Sequence, residues 1–199
     1  MADLTVDLGF RKLRNPVLAA SGTFGYGLEF QPFLDLERLG GFVVKGLYFE
    51  PREGNPPPRL VETASGLINA IGLQGIGVRA FREEVLPRLR DLDTAVIINV
   101  CGDDDDEYVR VVQALGHERG VAAFELNISC PNVKQDGACP ALAPEPTYAL
   151  VKKVKATTAV PLITKLSPNV TDIVGIARAA EEAATDAISL VNTFLALSL

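Results

Sequence analysis

The residues able to do chemistry fall into a few short motifs. The densest is Glu125-Leu126-Asn127-Ile128-Ser129-Cys130-Pro131-Asn132-Val133-Lys134, where a thiol stands between two carboxamides, Asn127 and Asn132. A thiolate is a competent base or nucleophile where its pKa is drawn towards neutrality. The motif begins as a strand, because Val121-Ala122-Ala123-Phe124 runs apolar into it from Gly120. It ends in a loop, because Pro131 has no N–H to donate and disfavours helix at Cys130. Cys130 is therefore expected just past a strand's carboxyl end, where α/β proteins place their chemistry. The same position also suits a plain structural cysteine, which often serves as a small buried hydrophobe.

Polar residues close the other apolar runs in the same way. Ser21 follows Val17-Leu18-Ala19-Ala20, Lys45 and Gly46 follow Phe42-Val43-Val44, and Asn99 follows Ala95-Val96-Ile97-Ile98. Lys165 lies near the end of Leu162-Ile163-Thr164-Lys165-Leu166, and Asn192-Thr193 follows Ala187-Ile188-Ser189-Leu190-Val191. Lysines and asparagines repeated at strand ends form a richer set than turns require.

The elements that must position these residues alternate. Residues 4–8 alternate and can pair back with residues 10–13 as a hairpin around Gly9. Helical spacing runs over residues 28–39, with Pro32 early in it, and over 78–92, with Pro87 inside it. Further helices are expected over 103–116, 144–157 and 172–184. Between Gly46 and the 78–92 helix lies a proline-rich stretch with Pro51, Pro56, Pro57 and Pro58, read as a long loop of the kind that serves as a lid or a binding segment. Four acids, Asp103 to Asp106, suit a helix N-terminus, and the spacing and glycine of a calcium loop are missing.

Strand–helix alternation implies a parallel sheet with crossover helices, either doubly wound or a (β/α)₈ TIM barrel. No Gly-x-Gly-x-x-Gly follows the first strand, and Gly72, Gly75 and Gly77 stand in the wrong order for one. Polar strand ends gathered on one face favour the barrel. A barrel has eight units and about 250 residues. Residues 1–199 are therefore read as a single barrel domain with about six of the eight βα units, lacking the C-terminal ones.

The totals narrow the function. A net charge of −6 and a pI near 4.9 argue against a nucleic-acid surface. No apolar run approaches the ~18 residues of a membrane span, and Met1-Ala2-Asp3-Leu4-Thr5 lacks the features of a signal peptide, so a cytoplasmic protein is expected. Three cysteines, Cys101, Cys130 and Cys139, do not suggest a disulfide framework. With His117 as the sole histidine, no metal site is expected.

The motifs together resemble the FMN-containing class 1 dihydroorotate dehydrogenases, nearest the class 1B catalytic subunits. The resemblance rests on Ala20-Ser21-Gly22, Lys45-Gly46, Gly54-Asn55-Pro56 with Pro58-Arg59, and Asn69-Ala70-Ile71-Gly72-Leu73. It continues through Asn127-Ile128-Ser129-Cys130-Pro131-Asn132-Val133, Lys165-Leu166-Ser167-Pro168-Asn169 and Val191-Asn192-Thr193, and so covers essentially the whole chain. Such a family member oxidises dihydroorotate to orotate in pyrimidine (UMP) synthesis, giving hydride to FMN. The resemblance makes Cys130 the base and Lys165 the cation beside the flavin. It gives Ser21, Lys45, Gly46, Asn99, Asn127, Lys165 and Val191 to the cofactor. It gives Lys45, Asn69, Ala70, Ile71, Gly72, Leu73, Asn127, Asn132, Asn192 and Thr193 to the substrate. It also implies a homodimer, and an electron-transfer subunit carrying FAD and a 2Fe–2S cluster that passes electrons to NAD.

Departures stand beside the resemblance. After Lys134 the family usually continues with Gly-Gly and Phe-Gly-Thr-Asp-Pro-Glu, whereas here residues 135–145 read Gln-Asp-Gly-Ala-Cys-Pro-Ala-Leu-Ala-Pro-Glu, and Gly75 replaces a common Asn. The family's FMN-phosphate grip belongs to the C-terminal third, so a fragment that holds FMN poorly is one expectation. Two other flavin enzymes stay in view. Reductases of free dihydropyrimidines usually have His where Asn132 stands, and RNA dihydrouridine synthases fit the acidic charge badly.

Overall fold

The computed structural model describes residues 2–129 and 140–197. Cys130, Asn132 and Cys139 lie outside the described residues. A hairpin opens the chain: β1 (Val6–Asp7) pairs antiparallel with β2 (Lys12–Leu13), as their alternation predicted. Then come β3 (Leu18–Ala19), β4 (Gly41–Val43) and a second antiparallel hairpin, β5 (Leu60–Thr63) with β6 (Gly66–Asn69). Helices α1 (Gly77–Ala80) and α2 (Leu86–Leu89) precede β7 (Ala95–Val100). From there strand and helix alternate: α3 (Asp105–Leu115), β8 (Ala123–Asn127), α4 (Pro144–Lys155), β9 (Leu162–Lys165), α5 (Ile173–Glu182) and β10 (Ala187–Ser189).

The main sheet has six strands in the order β3-β4-β7-β8-β9-β10, every neighbouring pair parallel. This order follows the chain without reversal. A doubly wound sheet reverses at its switch point, whereas a (β/α)₈ barrel adds each strand beside the last. The sheet is thus a curled, incomplete TIM barrel, six strands wide among the described residues.

Alternation along each strand makes two layers. Phe42, Val96, Ile98, Phe124, Leu126 and Leu162 face the helices, where they meet Tyr108, Val111, Val112, Leu150, Val154 and Ile176 in one continuous core. Val43, Ile97, Ala123 and Ile163 face the other, concave side and pack together, with Phe10 of the first hairpin and Ala187 against them. The pairings Val43–Ile97 and Ile97–Ala123 align this apolar floor across the strands. Two residues further along each strand, on the same side, stand Asn99, Glu125 and Lys165. The barrel interior therefore has a dry floor and a polar layer above it.

Prolines account for where the helical expectations fail. The 28–39 stretch is two short 3₁₀ turns, Leu28–Phe30 and Leu36–Arg38, because Pro32 cannot donate within a continuous helix. The 78–92 helix is interrupted by a π turn at Phe81–Val85. The extra residue there relieves the clash that Pro87 would make with the carbonyl of Glu83. The stretch read as a long loop contains the β5–β6 hairpin, whose Ser65-Gly66 corner supplies the turn, with Gly66 at φ +154°. The acids at 103–106 act as expected for a helix N-terminus. Asp104 caps α3 by accepting from the Glu107 N–H at 2.8 Å, Asp103 pairs with Arg52, and Asp106 lies 2.8 Å from Lys153.

One bond from α3 holds the end of β8. The buried Tyr108 hydroxyl donates to the Asn127 carbonyl at 2.7 Å. Tyr108→Phe should leave that carbonyl short of a partner and destabilise the fold by roughly 1–3 kcal/mol. Urea unfolding should show a lower midpoint with an unchanged slope; an unshifted midpoint would mean that the bond contributes nothing net.

Candidate active site

The polar layer is built on three adjacent strands. Asn99 on β7 is wholly buried, Glu125 on β8 is 3% exposed and Lys165 on β9 is 8% exposed. Asn99 Nδ2 donates to Glu125 Oε1 at 2.7 Å, and Lys165 Nζ lies 3.8 Å from the same oxygen. Burying a carboxylate costs several kcal/mol unless it is paired and hydrogen-bonded, and here it is both. Asn127, next along β8, donates from Nδ2 to Asn99 Oδ1 at 3.4 Å. Asn192, beyond β10, donates from Nδ2 to Asn127 Oδ1 at 2.8 Å. Asn192 Oδ1 accepts from the Thr193 N–H at 2.9 Å, and the Thr193 carbonyl accepts from Asn169 Nδ2 at 2.8 Å.

Of the residues picked from sequence, the structure therefore brings Asn99, Asn127, Lys165, Asn192 and Thr193 into one network. Gly46 borders it: a Cβ there would come within 2.7 Å of Cys101 Sγ and 3.0 Å of Asn99 Oδ1, so only glycine fits. Val191 follows a cis peptide bond from Leu190 and is half-buried. Ser21 is half-buried just after β3. Ala70 and Ile71 are bound to the proline-rich stretch: Ala70 N–H donates to Arg59 O at 2.9 Å, and Asn55 N–H donates to Ile71 O at 3.0 Å. Gly72 has a positive φ of 72° against Asn55, and Leu73 packs on Tyr48 and Cys101. Asn69 stands apart; it is exposed at the end of β6, paired in register with Leu60.

The sequence reading gave no role to Glu125. Its signal was a lone acid two residues from Ala123 and two from Asn127, on the interior side of an apolar strand. Arg59 was noted only within a motif. Here it is anchored by donating to Asn55 O at 2.8 Å, and its charge reaches Lys45. Lys45 is half-buried after β4, and its ammonium is held below the ordinary lysine value of 10.5. Burial is the larger cause and Arg59 the second, with the Cys101 side chain opposing them.

The sequence model of the family described as Dihydroorotate dehydrogenase matches residues 3–197. The chain belongs to that family. It is 49% identical over all of its length to the dihydroorotate dehydrogenase B (NAD(+)) catalytic subunit of Bacteroides thetaiotaomicron, covering 66% of that protein. It is also 49% identical, over 99% of its length, to the Geotalea uraniireducens protein of the same name, covering 65% of it. The chain thus spans about two thirds of the length of these relatives. Among solved structures, the crystal structure of DHODH from Eimeria tenella in complex with ferulenol superposes with a TM-score of 0.80. The match covers 98% of this chain and 61% of that one, at 19% identity, and so speaks to the barrel fold alone. In the dihydroorotate dehydrogenase family frame, the six strands here are successive barrel strands and the polar layer lies at their carboxyl ends.

Lys45 yields a test with a sign. A lysine whose folded pKa is depressed destabilises the fold while it is charged in both states. That cost is fully present below the folded pKa and is relieved as pH rises from there towards 10.5. Arg59→Gln should move the Lys45 titration, followed by NMR of its Nζ, back towards 10.5, while Lys45→Met should flatten the alkaline rise in stability. A Lys45 titration unmoved by Arg59→Gln would leave burial as the only cause.

Proposed function

We propose that this chain belongs to an FMN-dependent dihydroorotate dehydrogenase of the NAD-linked class 1B type, which oxidises dihydroorotate to orotate in the cytoplasm. The observation that carries the reading is the buried Glu125–Lys165–Asn99 cluster continued through Asn127 and Asn192, at the carboxyl ends of barrel strands. The relatives named above support it. On the same reading the chain works as a homodimer with an electron-transfer subunit carrying FAD and a 2Fe–2S cluster.

The donor set suits a flavin. The ring's pyrimidine edge alternates carbonyl oxygens with nitrogens, and it asks for amide partners and for a cation where negative charge collects on reduction. Asn99, Asn127 and Gly46 border one region of the polar layer, and Lys165 supplies a buried cation in it. Ser21, Lys45 and Val191 complete the proposed cofactor set. When bound, FMN supplies a hydride acceptor.

The chain's own residues do the rest. Oxidation removes a hydride from one ring carbon of dihydroorotate and a proton from its neighbour, leaving the double bond of orotate. Cys130, three residues after the end of β8 in the sequence, takes the proton on its thiolate. Asn69, Asn127, Asn132 and Asn192, with Thr193 and the backbone of Ala70-Ile71-Gly72-Leu73, hold the ring and its carboxylate. Carboxamides suit a ring that presents both donors and acceptors. Lys45 adds positive charge for the anion, and Lys165 favours electron density arriving at the cofactor.

In the FMN-loaded protein, Cys130→Ala should bind orotate nearly as before yet reduce its flavin with dihydroorotate about 10²–10⁴-fold more slowly. Cys130→Ser should keep part of the rate, shifted to higher pH, because a hydroxyl is harder to deprotonate. Cys101→Ala and Cys139→Ala should leave the pH profile of reduction in place. Stopped-flow flavin reduction across pH measures all of these, and near-normal reduction in Cys130→Ala would remove this thiol from the reaction.

A further inference from the structure

The carboxamide chain of the polar layer runs in one direction. Asn99 donates to Glu125, Asn127 donates to Asn99, and Asn192 donates to Asn127. The oxygen and nitrogen ends of a carboxamide have nearly the same shape, so packing alone does not choose between its two orientations; its partners do. Glu125 is an acceptor-only group when ionised, buried 2.7 Å from Asn99 Nδ2. Reversing Asn99 would set two oxygens against each other at that distance in a site closed to water, which is strongly unfavourable. Asn99 is therefore locked with Oδ1 turned away, towards Asn127. That oxygen only accepts, so it locks Asn127, and Asn127 Oδ1 in turn locks Asn192. At the far end the Thr193 N–H, a donor, meets Asn192 Oδ1 at 2.9 Å and agrees with the same direction.

The direction has a consequence for any ligand. Each carboxamide carries two N–H bonds and one oxygen. Along this chain each oxygen accepts one bond from its neighbour, Asn99 Oδ1 also meeting Cys101 Sγ at 3.7 Å, and one N–H of each Asn is used towards Glu125. Asn127 and Asn192, both only half-buried, keep a second N–H. The network therefore fixes the directions in which Asn127 and Asn192 can donate to a ligand. Lys165, 3.8 Å from Glu125, offsets the carboxylate's charge, so that Glu125 can set this order without repelling an anion.

We propose that Glu125 is a positioning residue that sets the hydrogen-bonding polarity of the site, turning Asn127 and Asn192 to present N–H donors to an acceptor-rich, anionic ring substrate. The ligand half of this inference rests on the dihydroorotate reading; the polarity half does not. Glu125 itself touches neither substrate nor cofactor in this role. It acts through Asn99.

The discriminating variant is Glu125→Gln, which keeps shape and volume but offers Asn99 either a donor or an acceptor. The first readout needs no ligand: the side-chain NH₂ signals of Asn99, Asn127 and Asn192 in ¹⁵N NMR of the flavin-free protein. The unchanged protein should show one set of signals. Glu125→Gln should shift or double all three sets, including those of Asn192, whose side chain bonds to Asn127 and Thr193 rather than to residue 125. Glu125→Asp keeps an acceptor-only carboxylate and should keep the Asn192 signals in place even where it costs stability. The second readout is calorimetric titration of the FMN-loaded protein with orotate. Affinity should fall at least about tenfold in Glu125→Gln, about 1.4 kcal/mol, and less in Glu125→Asp. Asn192 signals unmoved in Glu125→Gln, or moved equally by Gln and Asp, would reduce Glu125 to a structural partner of Lys165 and overturn the proposal. An unchanged protein that shows the single set of signals but does not bind orotate would overturn the dihydroorotate reading and support the polarity set by Glu125.

Discussion

A buried carboxylate has to be answered where it stands, and the answer to Glu125 ties three strands together. Its oxygen meets Asn99 from β7 and Lys165 from β9, while its own strand lies between them. A one-residue slip of any of these strands would turn its polar residue into the helix layer, among Val111, Val112, Leu150 and Val154. It would also leave a charge buried without its partner, a loss of about 3–5 kcal/mol by itself. The pairings Asn99–Glu125 and Asn127–Lys165 are thus enforced from two sides. The apolar floor of Val43, Ile97, Ala123 and Ile163 fixes them from below, and the charge pair fixes them from above.

The helices complete this arrangement without entering it. Their apolar stripes cover the outer face of the sheet, and α3 reaches the site through the Tyr108 hydroxyl on the Asn127 carbonyl. Glu107 of the same helix accepts from the N–H groups of Phe49 and Asp103 at 3.1 and 2.8 Å. It thereby ties the segment after β4 to the start of α3. The loop that carries Lys45 is in this way anchored to a rigid element, as a site on loops requires.

Much of this was legible in the sequence, and the physics says which part. Short continuous apolar runs identified the barrel strands, and the polar residues that close them were expected together on one face, the barrel mouth; Asn99, Asn127, Lys165 and Asn192 were found in that way. Pro32 and Pro87 lie in stretches with helical spacing, and spacing alone does not say that the chain will break into 3₁₀ or π turns there. The β5–β6 hairpin went unread because Leu60, Val61 and Leu67 sit among prolines and are exposed, so no buried face marked them. Asn69 was grouped with the other carboxamides by motif, yet its place on that hairpin keeps it out of their chain among the described residues. Glu125 was invisible for the opposite reason. One acid in a strand reads as a solvent-facing residue, and only Lys165 and Asn99, distant in sequence, show that it points inward.

The two interior layers answer to different demands. An apolar floor needs only residues of suitable volume at alternate positions, a demand that very different sequences meet. The superposition at a TM-score of 0.80 with 19% identity is what that tolerance produces. The layer above is not explained by the same demand. A buried ion pair replaced by well-packed hydrophobes is often neutral or stabilising by about 1–4 kcal/mol, so stability alone gives no reason to keep Glu125 and Lys165 inside. Nor does stability require three carboxamides oriented in series from a single carboxylate. Groups whose contribution to stability hydrophobes could match, set together at the strand ends where a barrel binds its ligands, fit the binding role proposed for them.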